Sequence, residues 1–350
     1  MNELIQISKY AGMREDLIQA GGGNTSIKLD EHKMAIKSSG IQLADLSENY
    51  GYSVVDYQKI KNYMDHIIKG QNDKTENHIL KESLIEGRKP SIETFLHAIT
   101  GRVTLHTHSV AVNILTARKG GMKILKQLFP NSLIIDYATP GLKLAELYYR
   151  TYLEESEKAG IGFSVIFLKN HGVIVSGKTS EDVIQMMEDV LCKTEKEVGI
   201  NHQAYRRGYE LYQKMKEYGI DDEKIVVKAE NSSVLEAYKK HGNSLWDYQF
   251  CPDCIVFCGK KEFVYDAACK KEDLQHFIQD NGNPVLVSYG NDLFIRAESV
   301  RKAREIESVL AFSAQVVLFN ENHLLDLLSD EEQNFLLNWD AEKYRQKMQG

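Results

Sequence analysis

Hydrophobic and polar residues in the first part of the chain repeat with two different periods, one typical of helices and one of strands. Residues 1–20 place apolar side chains at helical spacing and end at three consecutive glycines. The segments TSIKL and HKMAIKS then alternate apolar and polar side chains, as half-buried strands do, and a Ser-Ser-Gly turn follows. A further helix is predicted to open at Pro90 and to continue through IETFLHAI, since proline is favoured in a first turn.

The segments that follow predict further strands and helices. RVTLHTH and SLIIDYA are predicted as strands, and the unbroken apolar run of FSVIFLK is typical of a strand buried on both faces. SVAVNILTA and SEDVIQMMEDVLCKTEKEV are predicted as helices, the second with Ser180 as its N-cap. Strands and helices that alternate in this way indicate an α/β fold.

The pattern changes after Gly219, where the polar segment IDDEKIVVKAENSS is interpreted as a connector. Beyond it, strands are predicted at CIVFCG, EFVYDA, PVLVSYG and DLFIRA, and helices at KEDLQHFIQ and residues 300–318. We therefore expect two domains, residues 1–220 and a smaller α/β domain over residues 221–350, with no internal repeat. The cysteines of CPDCIVFC are interpreted as strand and turn residues, because a structural zinc site needs a second pair at suitable spacing.

Composition excludes several classes of function. The 350 residues are 43% hydrophobic, enough for more than one buried core. The formal net charge of −7 gives no attraction to nucleic acid or to an anionic membrane, and neither is expected as a partner. No apolar run could span a bilayer, the first residues do not read as a signal peptide, and the 5 cysteines cannot all pair with one another. A reducing cytoplasm is therefore expected.

His106 and His108 are the first candidates for chemistry. They stand two apart in the predicted strand RVTLHTH, so both side chains point to one face, about 6–7 Å apart at their bases. Two imidazoles at that distance can bind one zinc ion through their ring nitrogens. The alternative is that they are only polar residues on one face of a sheet.

His171 and Glu93 extend this set of candidates. His171 follows the apolar strand FSVIFLK in the turn Asn-His-Gly, and α/β proteins place functional groups at such strand ends. Three histidines would leave the fourth position of a zinc ion open, as in catalytic sites, although His171 could equally just cap the turn. Glu93 is either a general base or an acidic residue that the helix dipole favours in a first turn. His97, one turn later, is expected to pack rather than to bond Glu93.

Two turns rich in glycine and hydroxyl residues are candidates for anion binding. The segment AGGGNTSIKL exposes many backbone N–H groups, which suits a phosphate. It has neither the Gly-Lys-[Ser/Thr] of a P-loop nor the spaced glycines of a dinucleotide site. KSSG, residues 37–40, is a second such turn, and either could be no more than a turn.

The order of these motifs resembles that of the class II aldolase/adducin family. A glycine-asparagine-serine loop, KSSG, PSIETFLH, HTH and NHG follow one another over most of residues 1 to about 200. The resemblance implies a three-layer α/β/α sandwich around a mostly antiparallel sheet, and a homo-oligomer, commonly a tetramer. It also implies one zinc ion per chain and a sugar or sugar-phosphate substrate.

The resemblance also assigns roles to individual residues. It implies that His106, His108 and His171 are the zinc ligands and that Glu93 is the catalytic acid/base. The residues that it assigns to substrate or phosphate binding are Gly23, Asn24, Ser26, Ser39, Gly40 and Ser91. Two departures leave the substrate open. Ile92 replaces the second serine of the family's P-S-S-E motif, and residues 110–130 contain no tyrosine that could act as a proton donor, Tyr137 being the nearest.

The function implied by the resemblance is a zinc-dependent lyase that cleaves or forms a C–C bond in a ketose or ketose phosphate. Zinc would act as a Lewis acid that stabilises an enediolate, and Glu93 would move the proton at carbon. The same chemistry serves an epimerase, a 3-keto-acid decarboxylase or a dehydratase, and these alternatives stay open. A further alternative is a binding module like adducin, which shares the fold without the metal ligands.

Overall fold

The computed structural model describes residues 1–71, 74–220, 223–320 and 323–338. The chain divides into two compact units, the first formed by Met1–His202 and the second beginning at Gln203. Among the described residues, no helix is both long and apolar enough to cross a membrane.

The first unit alternates strands and helices. Its strands are β1 (Asn24–Lys28), β2 (Lys33–Lys37), β3 (Tyr52–Asp56), β4 (Leu84–Gly87), β5 (Val103–Thr107), β6 (Leu133–Ile135), β7 (Val165–Leu168) and β8 (Gly172–Gly177). Its helices are α1 (Asn2–Gly12), α2 (Tyr57–Ile68), α3 (Glu76–Ser83), α4 (Thr94–His97), α5 (Val110–Thr116), α6 (Gly121–Leu128), α7 (Leu142–Ala159) and α8 (Ser180–Val198). A short 3-10 turn covers Leu43–Asp45.

These strands form one sheet in the order β4-β3-β2-β1-β5-β8-β7-β6. Neighbours are antiparallel except β6 and β7, which are parallel and joined through α7. Helices α2, α3, α4 and α7 cover one face, where their apolar side chains share a core with those of the strands. Helices α1, α5 and α8 pack together on the other face. The predicted three-layer α/β/α sandwich around a mostly antiparallel sheet is confirmed.

Helix α8 illustrates how the local sequence fixes an element. Its N-cap is Thr179, one residue before the predicted Ser180. The Thr179 hydroxyl accepts the backbone N–H of Asp182, and the Asp182 carboxylate accepts the N–H of Thr179, each at 3.1 Å. This reciprocal capping box stabilises a helix by about 1 kcal/mol. Ser180 is instead the first helical residue.

The second unit has its own sheet and helices. Its strands are β9 (Ile225–Lys228), β10 (Phe263–Tyr265), β11 (Leu286–Tyr289) and β12 (Asp292–Ala297). Its helices are α9 (Gln203–Glu217), α10 (Ser232–His241), α11 (Pro252–Cys258), α12 (Lys271–Asn281), α13 (Val300–Phe319) and α14 (Asp330–Asn338). The sheet order is β10-β11-β12-β9, with only β10 and β11 parallel to each other.

This second sheet repeats half of the first. The order β6-β7-β8-β5 and the strand directions return as β10-β11-β12-β9, and the residue registers agree as well. One row of paired residues runs Leu133, Ile166, Ile174, His106 across the first sheet, and its counterpart runs Phe263, Val287, Phe294, Lys228 across the second. This likeness lies in strand order, direction and pairing, and the interpretation that the sequence has no internal repeat stays a prediction.

Three predictions for the second unit differ from the structure. The segment CIVFCG is helical within α11, since Pro252 is suited to a helix start and Cys254 and Cys258 lie one turn apart on a buried face. The predicted connector contains strand β9, while residues 221 and 222 lie outside the described residues. The predicted boundary at residue 220 lies inside the second unit, because α9 packs against β9 and contributes Gly208 beside Phe294. Residues 339–350 of that predicted domain also lie outside the described residues.

Candidate metal centre

Three histidines and one glutamate meet at one end of the first sheet. His106 is in β5, His108 lies just beyond its end, His171 is in the turn between β7 and β8, and Glu93 precedes α4. One ligand atom from each of the four lies within 4.8 Å of the others. The centres of the imidazole rings are 4.9 to 5.1 Å apart. The sequence motifs, which are up to 78 residues apart (93 to 171), therefore converge on one point.

His106 is held rigidly by the sheet. It is fully buried and its Nδ1 lies 3.2 Å from the carbonyl oxygen of Val173 on the neighbouring strand β8. That contact assigns the ring proton to Nδ1 and leaves Nε2 as the nitrogen with a free lone pair. Among the described residues, the buried Nε2 has no hydrogen-bond partner. This is the arrangement that a metal-binding histidine requires.

His108 is held by the segment before β1, through Leu17 and Gly22. Its backbone N–H donates to the carbonyl oxygen of Leu17 at 3.0 Å. A Cβ on Gly22 would come within 2.8 Å of His108 Nδ1, so the loop can pass over the ring only without a side chain there. The buried Nε2 of His108 also has no hydrogen-bond partner within the described part of the chain.

His171 is placed by a tight turn. Its N–H donates to the carbonyl oxygen of Leu168 at 3.1 Å, and its own carbonyl accepts from Asn113 Nδ2 at 3.2 Å. Asn170 has a positive φ of 56°, and asparagine adopts this left-handed conformation more readily than most residues. The next residue, Gly172, lies against the backbone of Thr107, where a Cβ would overlap the carbonyl oxygen.

Glu93 is the N-cap residue of the short helix α4, where a position in the first turn was predicted. Its N–H donates to Ser91 Oγ at 3.3 Å, and its Oε2 accepts a hydrogen bond from Asn24 Nδ2. Its Oε1 lies 3.2 Å from His171 Nε2 and 3.6 Å from His106 Nε2. One carboxylate oxygen is therefore anchored and the other faces the histidines.

The surroundings shift the pKa values of His106, His108 and Glu93. Burial lowers the pKa of His106 and His108, which favours neutral rings. Burial alone would raise the pKa of Glu93, but its Coulomb interactions with His106 and His171 and its hydrogen bonds lower that pKa below the ordinary value. Neutral rings at His106 and His108 beside the ionised Glu93 carboxylate are the protonation states in which these three groups bind a metal cation.

The donor set fits zinc. Three imidazoles, two of which have a buried Nε2 without a hydrogen-bond partner among the described residues, match the three-histidine ligand set of catalytic zinc sites. A fourth position then stays open for a substrate. The backbone contact of His106 supplies the outer hydrogen bond that orients a ligand.

Comparison with known families identifies this unit. The model of the class II aldolase and adducin N-terminal domain matches residues 2–192 of the 350. The chain belongs to the class II aldolase and adducin family. This membership confirms the resemblance found in the sequence.

Solved structures with a similar class II aldolase fold resemble the chain only distantly. An N-terminal class II aldolase domain from Thermoplasma acidophilum is 23% identical, with a TM-score of 0.48 over 56% of this chain and 92% of that one. An aldolase II superfamily protein from Pseudomonas syringae is 15% identical, with a TM-score of 0.44 over 63% and 93%. L-fuculose-1-phosphate aldolase from Thermus thermophilus is 15% identical, with a TM-score of 0.36 over 61% and 95%. No curated protein matches the sequence.

The other predicted binding residues of the class II aldolase domain are not all placed alike. Asn24 reaches Glu93, and Gly23 packs beside the backbone of His106. Ser26 is buried and shares a hydrogen bond of 2.7 Å with His97 Nδ1. That contact places His97 in the core, as predicted.

The KSSG turn lies beside the segment that leads to Glu93. Ser39 donates its N–H to the carbonyl oxygen of Lys89 at 2.9 Å, and Ser91 donates its N–H to that of Lys37 at 3.2 Å. Ser39 and Gly40 are exposed, whereas Ser91 is buried and accepts the N–H of Glu93. The turn at residues 38–40 therefore lies next to the segment that carries the catalytic candidate.

Lys37 is a site residue that the sequence analysis did not single out. Its side chain is almost fully buried, and its Nζ donates to the carbonyl oxygen of Gly21 at 3.0 Å. Burial lowers the pKa of Lys37, while Glu93 acts in the opposite direction. The signal was present in the sequence, since a lysine ends strand β2 directly before the Ser-Ser-Gly turn.

Proposed function

We propose that the first unit is a zinc-dependent lyase that cleaves or forms a C–C bond in a ketose or ketose phosphate. The convergence of His106, His108 and His171 with Glu93 is the observation that carries this proposal. Family membership supports an aldolase-like enzyme in general terms. The resemblance further leads us to expect one zinc ion per chain and a homo-oligomer.

The three histidines would hold the metal through their Nε2 or Nδ1 atoms. A zinc ion at this position supplies a Lewis acid for the negative charge that develops on the oxygens of a ketose. His106 is fully buried, which strengthens the electrostatic interactions of its ring, whereas His108 and His171 are partly exposed.

Glu93 would move the proton. Its low pKa keeps the carboxylate ionised at neutral pH, so it begins as a base. Because Asn24 holds Oε2, the oxygen that faces the histidines, Oε1, is the atom that accepts and returns the proton. The contact with Ser91 fixes the backbone on which this carboxylate is carried.

Lys37 and the turn at residues 38–40 would bind the charged group of the substrate. Lys37 brings a positive charge to the site, and the exposed turn offers backbone N–H groups and a hydroxyl. Ile92 packs partly buried against the apolar core and offers no hydroxyl. The anion is therefore held by fewer hydroxyl groups than in the family's P-S-S-E pattern, which keeps the substrate class broad.

Metal analysis is the first test. Protein purified without added metal or chelating resin should contain about one zinc per chain, and His171→Ala should lose it. Zinc-loaded protein should then release an aldehyde from one member of a panel of ketoses and ketose phosphates. Glu93→Gln should keep the metal and lose about 100- to 10,000-fold in rate, whereas Glu86→Gln, an exposed glutamate on β4, should change neither.

The outcomes separate the alternatives. A chain that takes up no zinc when zinc is offered would refute the proposal and leave a binding module with the fold alone. A chain that binds zinc and turns over a substrate is classified by its products. Two carbonyl fragments indicate a lyase, an inverted centre an epimerase, carbon dioxide a decarboxylase and lost water a dehydratase.

A further inference from the structure

His108 differs from His106 in what holds it. Strand β5 ends at Thr107, so the sheet does not fix the residue that follows. Two backbone bonds do so instead, from His108 N–H to the Leu17 carbonyl at 3.0 Å and from Val110 N–H to the Asp16 carbonyl at 2.8 Å. The position of His108 therefore depends on where residues 16 and 17 lie.

Residues 16 and 17 are fixed by a buried arginine. Arg14 is 1% exposed, and its guanidinium meets the carboxylate of Asp16 with two bonds, Nε to Oδ1 at 3.1 Å and Nη2 to Oδ2 at 2.7 Å. The Arg14 carbonyl accepts the N–H groups of Leu17 and Ile18 at 3.0 and 2.9 Å. The side chain and the backbone of Arg14 thus both stabilise the turn at residues 14–18.

The remaining nitrogen of Arg14 ties this turn to two helices. Its Nη1 bonds the hydroxyl of Tyr10 on α1 at 3.1 Å and the carboxylate of Glu188 on α8. The Tyr10 hydroxyl in turn donates to Glu188 Oε1 at 2.6 Å. The turn that carries the Leu17 carbonyl is therefore anchored to the helical layer behind the sheet.

A buried ion pair of this kind contributes little net stability. The cost of removing both charges from water roughly offsets their attraction, and apolar residues of equal size often stabilise a protein as well. What the planar guanidinium supplies is a fixed geometry, since its two parallel bonds allow one orientation of the carboxylate. A positioning role explains the pair better than a stabilising one.

The second unit provides an internal comparison. By register, Glu230 and Asn231 are the counterparts of His108 and Ser109, three residues or fewer after Lys228. Their N–H groups are both accepted by the carboxylate of Glu307 from α13. In the second unit, where this position is not a histidine, a carboxylate from α13 accepts the hydrogen bonds of these backbone N–H groups.

Asp16 also belongs to a second cluster of possible ligands, with Glu195 and His202, whose atoms lie within 4.8 Å of one another. Both oxygens of Asp16 already accept bonds from Arg14. The guanidinium thus provides the positive charge of this cluster. We assign the cluster to the same anchoring network and not to a second metal.

We propose that Arg14 and Asp16 are positioning residues for His108, acting through the carbonyl oxygen of Leu17, and that they set the affinity and the coordination geometry of the metal. This inference rests on the proposed function in one respect, that the three histidines bind a metal. It predicts that residues without contact to metal or substrate control how the metal is held.

The test compares metal binding by the full-length wild type with that of Arg14→Met, Arg14→Lys and Asp16→Asn. Outer-shell substitutions typically weaken metal binding about 10- to 100-fold, and we expect this loss for Arg14→Met and Asp16→Asn. The visible spectrum of bound Co²⁺ should change with them, since it reports coordination geometry. Arg14→Lys, which keeps the charge but not the fork, should lie between wild type and Arg14→Met.

Arg296→Met is the matched control, because this arginine of the second unit is also buried, at 2% exposure. It should lower thermal stability without changing zinc affinity or the Co²⁺ spectrum. Folded Arg14 and Asp16 variants with wild-type affinity and spectrum would overturn the positioning role. If Arg14→Met does not fold, Arg14→Lys and Asp16→Asn decide the question. A wild type that binds neither Zn²⁺ nor Co²⁺ would instead refute the proposed function.

Discussion

Four strands of the first sheet and the four described strands of the second have the same order and register. The histidine cluster lies at the end of the first sheet. At the row where the first sheet has His106, the second has Lys228, and Glu230 takes the place of His108. Lys228 Nζ lies 3.0 Å from Glu230 Oε1, so an ion pair fills the position of two ligands. The arrangement of these four strands alone is thus not enough to define the candidate metal centre, which also depends on the side chains at the strand ends.

The turns differ in the same way. Three residues, Lys169 to His171, connect β7 to β8, whereas Gly290 and Asn291 alone connect β11 to β12. The shorter turn pairs Tyr289 with Asp292 where the first sheet pairs Leu168 with Gly172. The second turn is therefore one residue shorter, and neither of its two residues is a histidine.

Neighbouring strands complete the contrast. In the first unit, β5 pairs on its outer side with β1, which supplies Asn24 to Glu93. In the second unit, β9 is the last strand of its sheet in the described residues. The site therefore needs the additional strands β1 to β4 and the segments around them, which have no counterpart in the second sheet.

Alanine substitutions at the matching positions of the two sheets give the largest expected difference. His106→Ala should abolish metal binding and reduce activity by about 1,000-fold or more, because a metal contributes several kcal/mol to such a transition state. Lys228→Ala, at the matching position of the second sheet, should leave metal content and activity at wild-type levels. Zinc analysis and the aldehyde assay check both. Loss of metal in Lys228→Ala would contradict the assignment of chemistry to the first sheet alone.

The folding stability of the first unit should decrease at acid pH. Burial lowers the pKa of His97 from 6.5 to about 4. The unfolded chain binds this proton more readily, so the stability is fully present above pH 6.5 and is lost as the pH falls from 6.5 to 4. The loss amounts to about 3 kcal/mol.

His97→Gln should flatten this dependence in urea unfolding of the metal-free protein at pH 4 to 7. His276→Gln, which changes a histidine on α12 of the second unit, serves as the control. Equal pH profiles for wild type and His97→Gln would show that His97 is not the group responsible.

Lys37→Met should have a smaller effect that is confined to substrate binding. Removing its charge should raise KM about tenfold for a charged substrate, corresponding to about 1.4 kcal/mol, with little change for an uncharged analogue. Steady-state kinetics with a ketose phosphate and its free ketose measure this difference. The same loss for both substrates would indicate a structural role for Lys37.

The smallest effect is expected for the ion pair of the second sheet. Lys228→Met with Glu230→Gln should change stability by less than about 1 kcal/mol, since partly exposed ion pairs contribute little. Zinc content should be unchanged. Chemical denaturation and metal analysis check the two expectations. A change in zinc content would mean that the ion pair is linked to the metal site after all.

The sequence singled out the four residues of the candidate metal centre but not the residues that hold them in place. His106, His108, His171 and Glu93 were found because their order along the chain resembles a known pattern, and the structure brings them together. Arg14 and Asp16 were not found, because a buried arginine and an aspartate two residues apart look like any charged pair at the end of a helix. Their burial and their mutual hydrogen bonds are seen only in the structure.

The second unit shows another limit. Its repeat of the first sheet lies in backbone pairing, and rows such as Ile174 with His106 and Phe294 with Lys228 share little chemistry. Hydrophobic alternation predicted β11 and β12 correctly but could not show which strands are neighbours. The strand prediction for CIVFCG was wrong for a related reason, since a short apolar run fits a strand and a helix equally well.

Gly172 has no side chain for catalysis, yet its position is as restricted as that of the histidines. Any side chain there would collide with the carbonyl oxygen of Thr107, on the strand that bears His106. To admit even a methyl group, β5 and β8 would have to separate, and the turn with His171 would move with β8. In a library of all single variants selected for activity, position 172 should tolerate as few replacements as the histidines themselves.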